Sequence, residues 1–126
     1  MQLLCLGLNH KTAPLAVRER VAFGPEENGE AVTLIKTRLA GAEAGGVTEA
    51  MILSTCNRTE IYCAAVDAAK AAASLLELIE ELKGLRTTDL QPHTYLYEQS
   101  EAARHVFRVV SGIDSMVLGE TQIVGQ

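Results

Sequence analysis

Apolar side chains run through Leu3-Leu4-Cys5-Leu6-Gly7-Leu8 and stop at Asn9-His10, the pattern of a buried strand. Thr12 followed by Pro14 predicts a helix start, a hydroxyl cap and then a ring with preset φ. The short basic helix from Leu15 to Phe23 ends at Gly24-Pro25. A second helix over Glu26 to Ala40 carries Ala31, Leu34, Ile35 and Leu39 at three- and four-residue spacing, with acids in its first turn. After the Gly45-Gly46 loop, Ala50 to Ser54 and Glu60 to Val66 read as two strands. The short polar link Thr55-Cys56-Asn57-Arg58-Thr59 suits an antiparallel connection. Asp67 caps a long helix whose stripe is Ala72, Leu75, Leu76, Ile79 and Leu82, closed by Gly84. Thr94 to Tyr97 predicts a fourth strand. From Ser100 a further helix places Ala103, Val106, Phe107 and Val110 on its buried face, with Gly112 after it and Asp114 capping another turn.

That order predicts an α+β fold. Two β-α-β units joined through a central hairpin form a ferredoxin-like split βαβ, a mainly antiparallel four-stranded sheet covered by helices on one face. Residues 1–98 make this unit, and residues 99–126 are a helical extension.

Composition narrows the setting. An apolar share of 48% with 21% charged residues is that of a soluble globular domain, and no apolar run approaches the roughly 20 residues of a membrane span. The start lacks a basic segment, so no signal peptide is expected. Three cysteines without Cys-x-x-Cys spacing argue against a disulfide framework and fit a reducing, cytoplasmic compartment. A net charge of −5 excludes a strongly basic, non-specific nucleic-acid binder. Lys11, Arg18, Arg20 and Arg58 make the first half the better place for an anionic ligand.

Chemistry concentrates in Ser54-Thr55-Cys56-Asn57-Arg58-Thr59-Glu60. Cys56 leaves a buried strand for a polar turn, whereas Cys5 and Cys63 sit among apolar strand residues. A thiol reacts as thiolate, which an exposed, positive setting favours and an apolar core opposes. Arg58 can supply that field or fork onto a substrate carboxylate. On spacing alone, a small turn residue beside a solvated charge is the better reading. His105, at the border of its helix's apolar face, can polarise a carbonyl, shuttle a proton or do neither. His10 can face the same cleft, and His93 reads as solvated. No pairwise ligand spacing supports a metal site, and no glycine-rich phosphate loop is present. Tyr95 and Tyr97 read as cover for a sheet face.

Three blocks together are more specific than any one. Gly7-Leu8-Asn9-His10-Lys11-Thr12-Ala13-Pro14 with Val17-Arg18-Glu19-Arg20, then Ser54 to Tyr62, then Ser111-Gly112-Ile113-Asp114-Ser115-Met116-Val117-Leu118-Gly119-Glu120 closely resemble the N-terminal catalytic domain of glutamyl-tRNA reductase. The resemblance implies that Cys56 attacks the aminoacyl ester of glutamyl-tRNA to form a thioester. NADPH, bound by a domain absent from this chain, then reduces it to glutamate-1-semialdehyde for tetrapyrrole biosynthesis. It implies that Arg58 reads a substrate carboxylate and that His105 is needed for activity. Thr55, Asn57, Ser115, Glu120, Thr121, Gln122 and Gln126 line the substrate pocket, which residues 99–126 complete. A homodimer built through C-terminal helices and a complex with glutamate-1-semialdehyde aminomutase are implied for the longer enzyme, with no metal. By itself the chain is expected to have at most esterase activity.

Two other classes stand beside this expectation. A non-catalytic ferredoxin-like binding module would leave Cys56 incidental. A redox sensor would need a resolving cysteine, and Cys63 reads as buried.

Overall fold

The computed structural model describes residues 1–119, with side chains through residue 112. The elements are β1 (Gln2–Asn9), α1 (Leu15–Val21), α2 (Pro25–Arg38), β2 (Val47–Ser54), β3 (Arg58–Ala65), α3 (Ala68–Lys83), α4 (Thr87–Leu90), β4 (Tyr95–Glu98) and α5 (Ser100–Gly119). All neighbouring strands are antiparallel, in the order β2-β3-β1-β4. This is the expected split βαβ sheet.

Alternation along the strands sends Leu4, Leu6 and Leu8 of β1 and Ile61, Cys63 and Ala65 of β3 to one face. There they meet Val21, Ile35, Leu75 and Ile79 from α1, α2 and α3 in a single apolar cluster. Full burial of a side chain such as Leu75 or Ile61 contributes about 1.5–3 kcal/mol. Asp67 caps α3 as predicted, its carboxylate accepting from the Lys70 N–H at 3.1 Å, and Gly84 ends the helix at φ 64°.

Several expectations change. Thr12 does not cap α1: the Asn9 carboxamide oxygen accepts from the Lys11 and Thr12 amides, and the Thr12 hydroxyl accepts from the Asn9 N–H. Pro14 stands just outside the helix, not as its first residue. Three short pieces had no sequence signal: α4 and turns of 3₁₀ helix over Ala42–Ala44 and Gln91–His93. Gly112 does not end the last helix, and Asp114 does not begin a new one, because α5 runs unbroken to Gly119.

Helices also occupy both sides of the sheet rather than one. Gln99 adopts φ 57°, and its N–H donates to the Leu3 carbonyl at 2.7 Å. That sharp turn folds α5 back over β4 and β1 on the second face. The face of α5 that is buried there is Ala102, His105 and Val109, while Phe107 and Val110 are exposed. Relative to the predicted stripe the helix is rotated about its axis, which places an imidazole inside. No helix among the described residues is long and apolar enough to cross a membrane.

Candidate active site

The β2–β3 connection is a tight, internally bonded tip. The Thr55 N–H donates to the Arg58 carbonyl at 2.8 Å, and the Thr55 hydroxyl accepts from the Asn57 N–H at 3.2 Å. Below it, the Ser54 and Thr59 hydroxyls lie 3.1 Å apart, and Ser54 Oγ accepts from the Phe23 N–H at 3.0 Å. Cys56 is displayed at this tip, exposed to solvent, with no side-chain hydrogen bond among the described residues. Cys5 and Cys63 are both buried, and burial pushes each thiol up to about 12. The expected contrast between one reachable sulfur and two enclosed ones holds.

Two residues on, β3 turns Arg58, Glu60 and Tyr62 to the second face. The Arg58 side chain is only 18% exposed, because Nη1 reaches back to Glu60 Oε2 at 3.2 Å. Glu60 is fully buried. Its Oε1 accepts from the Tyr62 hydroxyl at 2.7 Å. Its Oε2 accepts from the Tyr95 hydroxyl at 2.6 Å, from Arg58 and from His105 Nε2. Burial works to raise the pKa of this carboxyl, but the hydrogen bonds from Tyr95, Tyr62 and His105 outweigh it and hold the group below its ordinary 4.5. Burial, then the bond to Glu60, pushes both tyrosine hydroxyls upward, so they stay donors.

His105 is engaged at both nitrogens. Arg108 Nη2 stands 3.4 Å from Nδ1, and a guanidinium can only donate, so this pairing assigns the proton to Nε2. The ring packs against Tyr97 (centroids 4.5 Å apart) and edge-on to Tyr95 (5.5 Å). The two tyrosines cover the sheet face, as their alternation predicted.

The fold thus joins Arg58 and His105 through an acid that the sequence reading did not single out. A signal was present: Glu60 and Tyr62 share a strand face with the alternating pair Tyr95 and Tyr97, and Gly7 stands opposite Glu60 in register. A Cβ on Gly7 would lie 2.7 Å from Glu60 Cγ, so only glycine leaves room for that side chain. Thr55 is exposed and Asn57 half-buried beside Cys56. Ser115 lies within α5, its side chain beyond those described; Glu120, Thr121, Gln122 and Gln126 lie outside the described residues. His10 is exposed, whereas His93 is half-buried, its Nδ1 3.2 Å from the Thr12 carbonyl oxygen.

Cys5, Glu60 and His105 bring possible metal-ligand atoms within 4.8 Å of one another, a proximity that residue spacing did not foretell. Both Glu60 oxygens already accept hydrogen bonds, and the cluster is organised as a hydrogen-bonded hub. The strand-to-helix turns after Asn9 and Ala65 lack the glycine-rich device that cradles a dinucleotide pyrophosphate.

The family model described as the N-terminal domain of glutamyl-tRNAGlu reductase matches residues 6–126. Among solved structures, the chain is similar to glutamyl-tRNA reductase from Methanopyrus kandleri, with 30% identity and a TM-score of 0.59 over 98% of this chain. The match covers 26% of that protein, so the chain spans about a quarter of its solved relative's length.

Proposed function

The chain belongs to the glutamyl-tRNA reductase N-terminal domain family, and on that premise we propose that it carries out the acyl-transfer half of that enzyme's reaction, with Cys56 as nucleophile. The Cys56 sulfur attacks the ester carbonyl carbon of glutamyl-tRNA. A carbon–sulfur bond forms, the carbon–oxygen bond to the terminal ribose breaks, and the thiol proton ends on the released ribose hydroxyl. The products are a glutamyl thioester on Cys56 and free tRNA. An ester already activated on a nucleic acid needs a soft, accessible nucleophile more than a strong acid.

The observation that carries this reading is the pairing of an exposed sulfur on an internally hydrogen-bonded hairpin tip with a guanidinium held two residues away. Arg58 uses Nη1 for Glu60 and keeps other N–H groups for a substrate carboxylate. A charged hydrogen bond of that kind contributes about 1.5–3 kcal/mol and fixes orientation. Thr55 and Asn57 flank the acyl group, and the family resemblance adds Ser115, Glu120, Thr121, Gln122 and Gln126 as substrate contacts. His105 belongs to the required machinery. The family's hydride donor, NADPH, acts after this step, and the proposal for this chain ends at the thioester.

Mass spectrometry of the protein after incubation with glutamyl-tRNA tests this directly. A glutamyl adduct on the peptide containing Cys56, absent in Cys56→Ser, is the expected result. Release of glutamate with no adduct in the parent protein, and at the same rate in Cys56→Ser, would overturn it.

A further inference from the structure

We propose that Glu60 is a positioning residue of this site: it holds the Arg58 guanidinium ready for the substrate, and His105 acts through Glu60 instead of touching the reacting atoms. The inference rests on the acyl-transfer reading and assigns roles that reading leaves open.

Four donors from three elements converge on one fully buried carboxylate. An ionised carboxyl in such a place is strongly disfavoured unless its lone pairs are filled, so the whole set must be present together. The groups facing it are Arg58 and Tyr62 on its own strand, Tyr95 on β4, His105 on α5 and the Cys5 thiol on β1. Arg58 is the member of the hub nearest in sequence to the hairpin tip that displays Cys56. An arginine carries several free torsions, and in the open its fork would sample many directions. Tied to Glu60, it presents the remaining N–H groups in a restricted arc.

His105 points the same way. Its Nε2 is bound to Glu60, its Nδ1 faces Arg108, and two tyrosine rings enclose it, leaving it 7% exposed. With both nitrogens engaged, neither is free to take the proton of an exposed thiol at the hairpin tip. What the imidazole can do is stop Glu60 from turning away from Arg58. Gly7 supplies the complementary space on β1, where any side chain would displace the Glu60 methylene.

The experiment measures the rate of Cys56 acylation against glutamyl-tRNA concentration in the parent, Glu60→Gln, Glu60→Asp and His105→Gln. The same rates are measured with glutaminyl esterified to the same tRNA. Iodoacetamide labelling of Cys56 across pH provides a readout that needs no substrate. Glu60→Gln is expected to raise the half-saturating concentration about tenfold and cut the glutamyl-over-glutaminyl preference by a similar factor, with the plateau rate changing less than about threefold. Glu60→Asp recovers part of the loss. His105→Gln gives the same signature and leaves the pH profile of Cys56 labelling where it was.

A fall in plateau rate at unchanged half-saturation, or a shifted labelling profile in His105→Gln, would overturn the proposal by placing the imidazole on the sulfur. Should Glu60→Gln fail to fold, Tyr95→Phe removes one donor from the same carboxylate. It is expected to raise half-saturation a few-fold, and unchanged binding and selectivity would count against the hub. Failure of the parent to form any adduct refutes the acyl-transfer reading, whereas the labelling profile still decides the role of His105.

Discussion

At the middle of β3 both faces of the sheet are closed to water but held by different physics. On β3, Ile61 is 1% exposed toward α1–α3, and its neighbour Glu60 is 0% exposed toward α5. Around Ile61 the neighbours are aliphatic, and their attraction has little directional preference. Around Glu60 they are hydroxyl, imidazole and guanidinium groups, each useful only at a set distance and angle. The apolar face supplies stability, whereas the polar face supplies geometry. The candidate chemistry sits at the edge of the second.

The largest test of this division uses the three cysteines, one on each face and one at the tip. Iodoacetamide should label Cys56 at least about a thousandfold faster than Cys5 or Cys63, whose exposure requires opening of the fold. Mass spectrometry of quenched samples reads all three rates. Labelling of Cys5 as fast as Cys56 would mean that α5 does not close the polar face at all.

Next in size is a pair of substitutions one residue apart. Ile61→Ala should lower unfolding free energy by about 2–5 kcal/mol through lost contacts and a cavity. Glu60→Gln should cost roughly 1–3 kcal/mol, because the amide cannot accept from every donor that the carboxylate serves. Urea denaturation measures both. Equal or inverted losses would break the comparison, since the polar face would then be carrying the stability.

The smallest effect is also the most selective. Glu60 is held below its ordinary 4.5, so its ionised hub stabilises the fold fully above that value, and the contribution fades as pH falls through the lower, folded-state pKa. Stability of the parent should therefore drop more steeply in acid than that of Glu60→Gln, while Ile61→Ala keeps the parent's slope. Urea midpoints collected between pH 2 and pH 6 check this. Parallel slopes in all three proteins would remove the charge from the account of this face.

The apolar face was readable in advance because its rules are local. Alternation in β1, the cap at Asp67 and the stripe through Leu75 and Ile79 each state which side goes inward. Cys56 was legible for a related reason, since a polar link between two strands must surface, whereas Arg58, read as part of that link, instead opens β3 with its side chain 18% exposed. The second face was not. Counting apolar positions favoured Phe107 and Val110 as the buried stripe of α5, yet His105 is inside and Phe107 is 72% exposed. A helix turns toward whatever its partner surface rewards, and that surface holds a carboxylate needing a donor. That demand is invisible until β1, β3, β4 and α5 are assembled. Glu60 was hidden by the same logic, because an acid alternating with apolar residues in a strand ordinarily marks the wet side.

Gly7 carries this into the history open to the protein. A methyl group there would meet the Glu60 methylene at 2.7 Å, but also the Thr59 carbonyl oxygen at 2.8 Å. Trimming the acid to a smaller residue clears only the first obstacle, because the second belongs to the main chain. Position 7 is therefore closed to compensation from position 60. A lineage that lost the acid would still keep the glycine, held there by the main chain of the neighbouring strand.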